Sequence, residues 1–154
     1  MTPGASSADI QIRQAIQADL ATVIAWLDGA GLPSSDLRPA HLEFFLIASC
    51  NEQPVGMIGL ESYTDSGLLR SLYVADTSRG LGLGARLVFE LEQRAVAAGL
   101  GSLWLLTIDA DPFFVQLGYE VMPRSDAPPP VQQSAEFSSL CPGDAVLMRK
   151  VLGS

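Results

Sequence analysis

Apolar and polar positions change period several times along this chain, and each change marks an element. Ile10-Gln11-Ile12-Arg13 alternates strictly and predicts a short strand. From Asp19 to Gly31 the apolar positions Leu20, Val23, Ile24, Trp26 and Leu27 fall on one helical face, closed by glycines. Pro33-Ser34-Ser35-Asp36 reads as a loop entering a short helix through Pro39. Glu43 to Ser49 and Val55 to Ser62 read as strands joined by a hairpin turn at Asn51-Glu52-Gln53-Pro54. A second turn, Thr64-Asp65-Ser66-Gly67, leads into a strand from Leu68 to Val74. The helical period returns from Leu83 to Ala98 and stops at Gly99 and Gly101. Leu103-Trp104-Leu105-Leu106-Thr107 is an unbroken apolar strand of the buried, parallel-neighbour kind. A short helix, Ala110 to Leu117, is stopped by Gly118, and Tyr119-Glu120-Val121 begins a strand. A proline-rich loop from Arg124 to Pro130, a helix within Val131 to Leu140 and a closing strand from Ala145 to Leu152 complete the pattern.

The order β-α-(α)-β-β-β-α-β-α-β-α-β places antiparallel hairpins first and one βαβ crossover second. This is mixed α/β (α+β), with a mostly antiparallel central sheet flanked by helices. The 154 residues suit a single domain, 1–154, with 1–8 expected to be disordered. Apolar residues make up 48% and charged residues 17%, a globular composition. No apolar run is long enough to span a bilayer, and the N-terminus lacks a basic flank and an apolar core. The expectation is a soluble cytoplasmic protein. Cys50 and Cys141 are too far apart to suggest zinc, and His41 has no ligand neighbour, so no metal is expected. Cys141 reads more simply as a small buried hydrophobe than as a reactive thiol, and Trp26 and Trp104 as core.

The net charge of −8 argues against nucleic acid and anionic membrane as partners. Against it, the stretch from Gly67 to Phe89 holds Arg70, Arg79 and Arg86 with Asp76 as its one acid. This local positive charge coincides with Arg79-Gly80-Leu81-Gly82-Leu83-Gly84-Ala85-Arg86, a glycine-rich turn between a strand and a helix. Such a turn lets backbone N–H groups close on an anion at a helix N-terminus. A nucleotide-hydrolysing P-loop is excluded, because Gly84 is followed by Ala85 and the chain's one lysine is Lys150. A dinucleotide fingerprint is formally present as Gly80-x-Gly82-x-x-Ala85, with Asp109 after the next strand. Its context is wrong: the turn follows an antiparallel meander, and there is one βαβ unit.

Arg79-x-x-Gly82-x-Gly84 after Leu72-Tyr73-Val74 resembles the first motif of the GNAT acetyltransferase superfamily, Gln/Arg-x-x-Gly-x-Gly/Ala. Phe113-Phe114-Val115-Gln116-Leu117-Gly118-Tyr119 resembles the second, and the resemblance covers about Ile10 to Leu152. Leu105-Leu106-Thr107, Pro112-Phe113-Phe114 and above all Ala135-Glu136-Phe137-Ser138-Ser139-Leu140-Cys141-Pro142 are similar to the arsenic-resistance N-acetyltransferase branch. The resemblance implies the acyl-CoA N-acyltransferase fold, with a parallel, splayed strand pair. It implies acetyl-CoA as co-substrate and a small-molecule amine as acceptor. The acceptor would be anionic and amino-acid-like, with organoarsenicals in scope. GNAT relatives often dimerise, so a homodimer is an open expectation.

By the same resemblance the pyrophosphate lies on Arg79, Gly80, Leu81, Gly82, Leu83, Gly84 and Ala85. The pantetheine arm pairs with the backbone of Leu72, Tyr73 and Val74 beside a bulge, flanked by Phe113 and Phe114. Many members place a glutamate base where this chain has Arg70. An arginine is no base at neutral pH but forks anions well, so Arg70 is expected either at the acceptor's anionic group or paired with Glu61 or Glu43. Glu61 is the leading base candidate, set against a plain solvated strand residue; Ser71 and Tyr63 are weaker candidates for the same region. The usual general-acid tyrosine is replaced by Phe114. Tyr73 and Tyr119 are the unranked alternatives, and a non-catalytic acyl-CoA sensor is the competing function.

Overall fold

The computed structural model describes residues 10–30, 44–75, 82–134, 137 and 145–152. Its elements are β1 (Ile10–Gln14), α1 (Leu20–Ala30), β2 (Phe45–Cys50), β3 (Gln53–Ser62), β4 (Ser66–Val74), α2 (Leu83–Ala97), β5 (Ser102–Thr107), α3 (Asp111–Gln116), β6 (Glu120–Met122), α4 (Pro129–Gln132) and β7 (Val146–Val151). They form a seven-stranded sheet in the order β1-β2-β3-β4-β5-β7-β6. β4 and β5 pair in parallel from Ser66↔Ser102 to Leu68↔Trp104, and both strands run on past that ladder. The β1–β2, β2–β3, β5–β7 and β6–β7 ladders are antiparallel. This is the mixed, mostly antiparallel sheet with flanking helices that the sequence predicts. Among the described residues no helix is long and apolar enough to cross a membrane. The expected disorder of 1–8, the helix through Pro39, His41, Glu43 and Cys141 lie outside the described residues.

The chain divides into two compact units, Met1–Leu60 with Ser71–Leu91 and Glu61–Arg70 with Glu92–Ser154. In the first, Ala15, Val23, Leu27, Phe45, Ile47 and Met57 form a core, with Leu20, Ile24, Trp26 and Tyr73 packed against it. The β2–β3 hairpin turns through Asn51 and Glu52, both at positive φ, the pattern of a type I′ turn whose twist suits the strands. β3 therefore begins at Gln53, two residues before the predicted start. Its proline is accommodated by an irregularity opposite Ala48 and Ser49, where the register jumps from Ala48↔Gly56 to Ser49↔Pro54. Phe45 pairs directly with Gly59, and the phenyl ring occupies the space a side chain would fill there. Gly56 likewise leaves room for Leu83 and Leu87 of α2, whose methyls come within 3.3 Å of where a Cβ would stand.

In the second unit, Leu68, Trp104, Ala127, Val131 and Leu147 form a core edged by Tyr63, Leu106, Met122 and Phe137. α2 ends in a Schellman motif: Gly99 is at φ +85°, Leu100 N–H reaches Ala95 O, and Gly99 N–H reaches Val96 O. α3 ends the same way at Gly118, φ +97°, through Tyr119 N–H to Phe114 O and Gly118 N–H to Val115 O. The Leu117-Gly118-Tyr119 ending is thus a helix stop with a structural cause. The motif's apolar contact is the edge-to-face pair of Phe114 and Tyr119, with ring centroids 5.5 Å apart. α4 starts earlier than the predicted helix, at Pro129, because proline suits the first helical turn; residues 135, 136 and 138–140 of that prediction lie outside the described residues.

Candidate active site

The anion cradle is built around the start of α2. Gly82 adopts φ +74°, a conformation costly for any residue with a Cβ. Its carbonyl accepts the Arg86 N–H at 3.1 Å, so Gly82 is the helix N-cap. The N–H groups of Leu83, Gly84 and Ala85 then have no intrahelical acceptor. No acidic side chain occupies the described first turn, where the helix dipole is positive. Leu83 and Leu87 are buried and anchor the turn. Arg79, Gly80 and Leu81, the other residues expected at the pyrophosphate, lie outside the described residues.

β4 carries the next group of expected residues. Ser71 sits at φ +63° in the middle of the strand, where a non-glycine residue rarely occurs. That single left-handed residue breaks the alternation of faces, which is the behaviour of a bulge. Leu72, Tyr73 and Val74 follow it, partly buried. The Tyr73 ring packs 5.0 Å from that of Trp26, against the core of its own unit. Neither the strand pattern nor the spacing signals this orientation, because the bulge resets which face Tyr73 occupies.

Glu61, Tyr63 and Arg70 meet in the second unit. Arg70 Nη1 donates to Glu61 Oε2 at 2.8 Å, and Tyr63 Oη donates to Glu61 Oε1 at 2.6 Å. The Arg70 side chain is 0% exposed and that of Glu61 17%. Arg70 thus forms the ion pair with Glu61, and the guanidinium is not presented to solvent. Burial, then the hydrogen bond to Glu61 and its charge, push the Tyr63 phenol well above its ordinary range.

A third cluster was not legible in the sequence. Glu92 of α2 accepts Tyr119 Oη at 2.9 Å on Oε2, and Lys150 Nζ at 3.0 and 3.1 Å on its two oxygens. Lys150 Nζ also donates to Leu117 O at 2.9 Å, closing the end of α3. Burial first, then the Glu92 charge, raise the Tyr119 phenol well above its usual value. Phe114 is buried between Phe113 and Tyr119 and carries no proton to give. Tyr119 is committed to Glu92.

These two tyrosines set an alkaline limit. The unfolded chain gives up each phenol proton near pH 10, while the folded chain keeps it. Their contribution is therefore complete below about pH 10 and is lost as pH rises beyond it. Urea unfolding should show stability falling above that pH by up to about 1.4 kcal/mol per pH unit for each tyrosine. Tyr119→Phe should remove one of the two slopes.

The sequence from 13 to 119 matches the model of the acetyltransferase (GNAT) family. Comparison with curated protein sequences gives no match. Among solved structures, the N-acetylglutamate synthase of Neisseria gonorrhoeae, complexed with coenzyme A and N-acetyl-glutamate, superposes with TM-score 0.82 at 21% identity; the match covers 97% of this chain and 37% of that one. The chain thus spans little more than a third of that enzyme's length. Rv2747 of Mycobacterium tuberculosis, in complex with CoA, gives 0.76 at 21% identity over 93% of this chain and 99% of that one. A GNAT-family acetyltransferase of Staphylococcus aureus gives 0.71 at 20% identity over 94% and 99%. With the family model matching well over half its length, the chain belongs to the acetyltransferase (GNAT) family, whose acetyl-CoA-dependent N-acetyltransferase fold it has.

Proposed function

We propose that this protein transfers the acetyl group of acetyl-CoA to the amine of a small, anionic, amino-acid-like acceptor, in a ternary complex without an acyl-enzyme. The observation that carries the reading is the Gly82 N-cap at φ +74°, opening a helix whose first turn lacks an acid. The N–H groups of Leu83, Gly84 and Ala85 would hold the pyrophosphate, with Arg79, Gly80 and Leu81 beside them. The Leu72–Val74 backbone, which follows the left-handed Ser71, would pair with the pantetheine amides and turn an N–H toward the thioester carbonyl. Phe113 and Phe114 would flank the arm, and Glu61 is the base. For Arg70 to reach the acceptor's anion, its pair with Glu61 must open; holding Glu61 is the role that pair favours.

The amino-acid class of acceptor is supported by the Neisseria neighbour, which is complexed with N-acetyl-glutamate. The motif from Ala135 to Pro142 supports adding organoarsenical amino acids and a link to arsenic resistance. One observation favours a second reading, an acyl-CoA sensor without turnover: Phe114 stands where a general acid is expected, and Tyr119 is tied to Glu92. Following free thiol release from acetyl-CoA with a panel of amino-acid, phosphinate and arsenical amines separates the two. Turnover supports the enzyme; tight acetyl-CoA binding with no thiol release on any amine supports the sensor. Gly82→Val should weaken acetyl-CoA binding about tenfold or more, because a left-handed residue with a Cβ costs about 1–2 kcal/mol. Isothermal titration reads this directly.

A further inference from the structure

The ion pair of Arg70 and Glu61 is asymmetric. The guanidinium is fully buried, and the charged group that reaches solvent is the carboxylate. A buried ion pair contributes little net stability, because desolvation offsets the attraction. What this one does achieve is orientation. Glu61, at the end of β3, is gripped on Oε2 by Arg70 from β4 and on Oε1 by Tyr63 from the turn joining the two strands.

The grip extends further. Ser134, just after α4, lies beside the Tyr63 phenol and acts against the rise that burial causes. Ser134 Oγ donates to Val131 O at 2.6 Å and accepts the Phe137 N–H at 3.2 Å. The Phe137 ring in turn lies under Arg124, 4.7 Å from the guanidinium carbon. A carboxylate with both oxygens oriented still has lone pairs to accept a further proton donor. Among the described residues Arg70 and Tyr63 are the groups bonded to Glu61, and the phenol, protonated at neutral pH, serves as a donor.

We propose that Tyr63, Arg70 and Ser134 are positioning residues that fix Glu61 as the proton acceptor for the incoming amine. The inference rests on the acetyltransferase reading. One proton passes from the acceptor's ammonium to a Glu61 oxygen. The freed lone pair then forms the C–N bond as the C–S bond breaks; the acylated nitrogen sheds its second proton to solvent, and the departing thiolate takes a proton from solvent.

Thiol release measured across pH on full-length Glu61→Gln, Tyr63→Phe and Ser134→Ala tests this. Glu61→Gln should lower kcat about 100-fold and abolish the acidic limb of kcat/KM. Tyr63→Phe should lower kcat about tenfold while KM for acetyl-CoA moves less than about twofold, with Ser134→Ala weaker in the same direction. A merely structural cluster would lower Tm in all three and leave the acidic limb in place. An acidic limb retained by Glu61→Gln, with wild-type kcat in Tyr63→Phe, overturns the inference and leaves the enzyme standing. A wild-type protein that binds acetyl-CoA but releases thiol with no amine overturns both.

Discussion

Gly59→Ala is expected to destabilise the protein by about 3 kcal/mol, the upper end of what an overpacked core costs. A Cβ at this position would lie 2.5 Å from Cε1 and 2.8 Å from Cε2 of Phe45. The ring cannot retreat: Phe45 is 1% exposed and belongs to the core with Val23, Leu27 and Met57. Nor can the backbone, since Phe45 and Gly59 are direct partners in the β2–β3 ladder. The pair should therefore couple strongly. Phe45→Ala alone costs about 3–5 kcal/mol through the cavity it leaves. On that background Gly59→Ala should cost less than about 1 kcal/mol, giving an interaction energy of about 2 kcal/mol. Urea titration of the two single variants and the double measures it. Additive costs would mean that the ring does not occupy the glycine's face.

Lys150→Met should cost about 3 kcal/mol and lower Tm by roughly 8 °C. The Glu92 side chain is 11% exposed and that of Lys150 28%. Removing the ammonium leaves a nearly buried carboxylate with the Tyr119 hydroxyl as its remaining described donor, and takes the side-chain donor from Leu117 O. Replacing the whole group should be far milder. Glu92→Met, Lys150→Met and Tyr119→Phe together remove both charges and the phenol donor, leaving Leu117 O as the one group that has lost its side-chain partner, and should recover at least half of the loss.

The two results show where sequence reasoning reached and where it stopped. Short-range signals were readable: the period of Leu83 to Ala97, the glycine stops at Gly99 and Gly118, the unbroken apolar β5. Each depends on residues a few positions apart. The partners of Glu92 lie 27 and 58 residues away, and nothing in their local surroundings distinguishes them from solvated charges. Phe45 over Gly59 needs the β2–β3 register, which a bulge near Pro54 shifts by one residue. Within the candidate site, Gly82 was legible because its φ demands glycine. Ser71 was not, since a serine at φ +63° carries no sign of its conformation, and the side taken by Tyr73 depends on it. The Arg70–Glu61 pair was foreseeable as one of two alternatives, but the burial of the guanidinium was not.

The tie around Lys150 has a consequence for chemical labelling. This residue is the chain's sole ε-amine. Its nitrogen is occupied by both oxygens of Glu92 and by Leu117 O, so an acylating reagent meets a free lone pair only after those bonds open and a proton leaves. The rate at which a small acylating reagent modifies this one nitrogen is therefore a clock for local opening. It reports how often the end of α3 parts from β7, read as the mass increment on the peptide that carries Lys150.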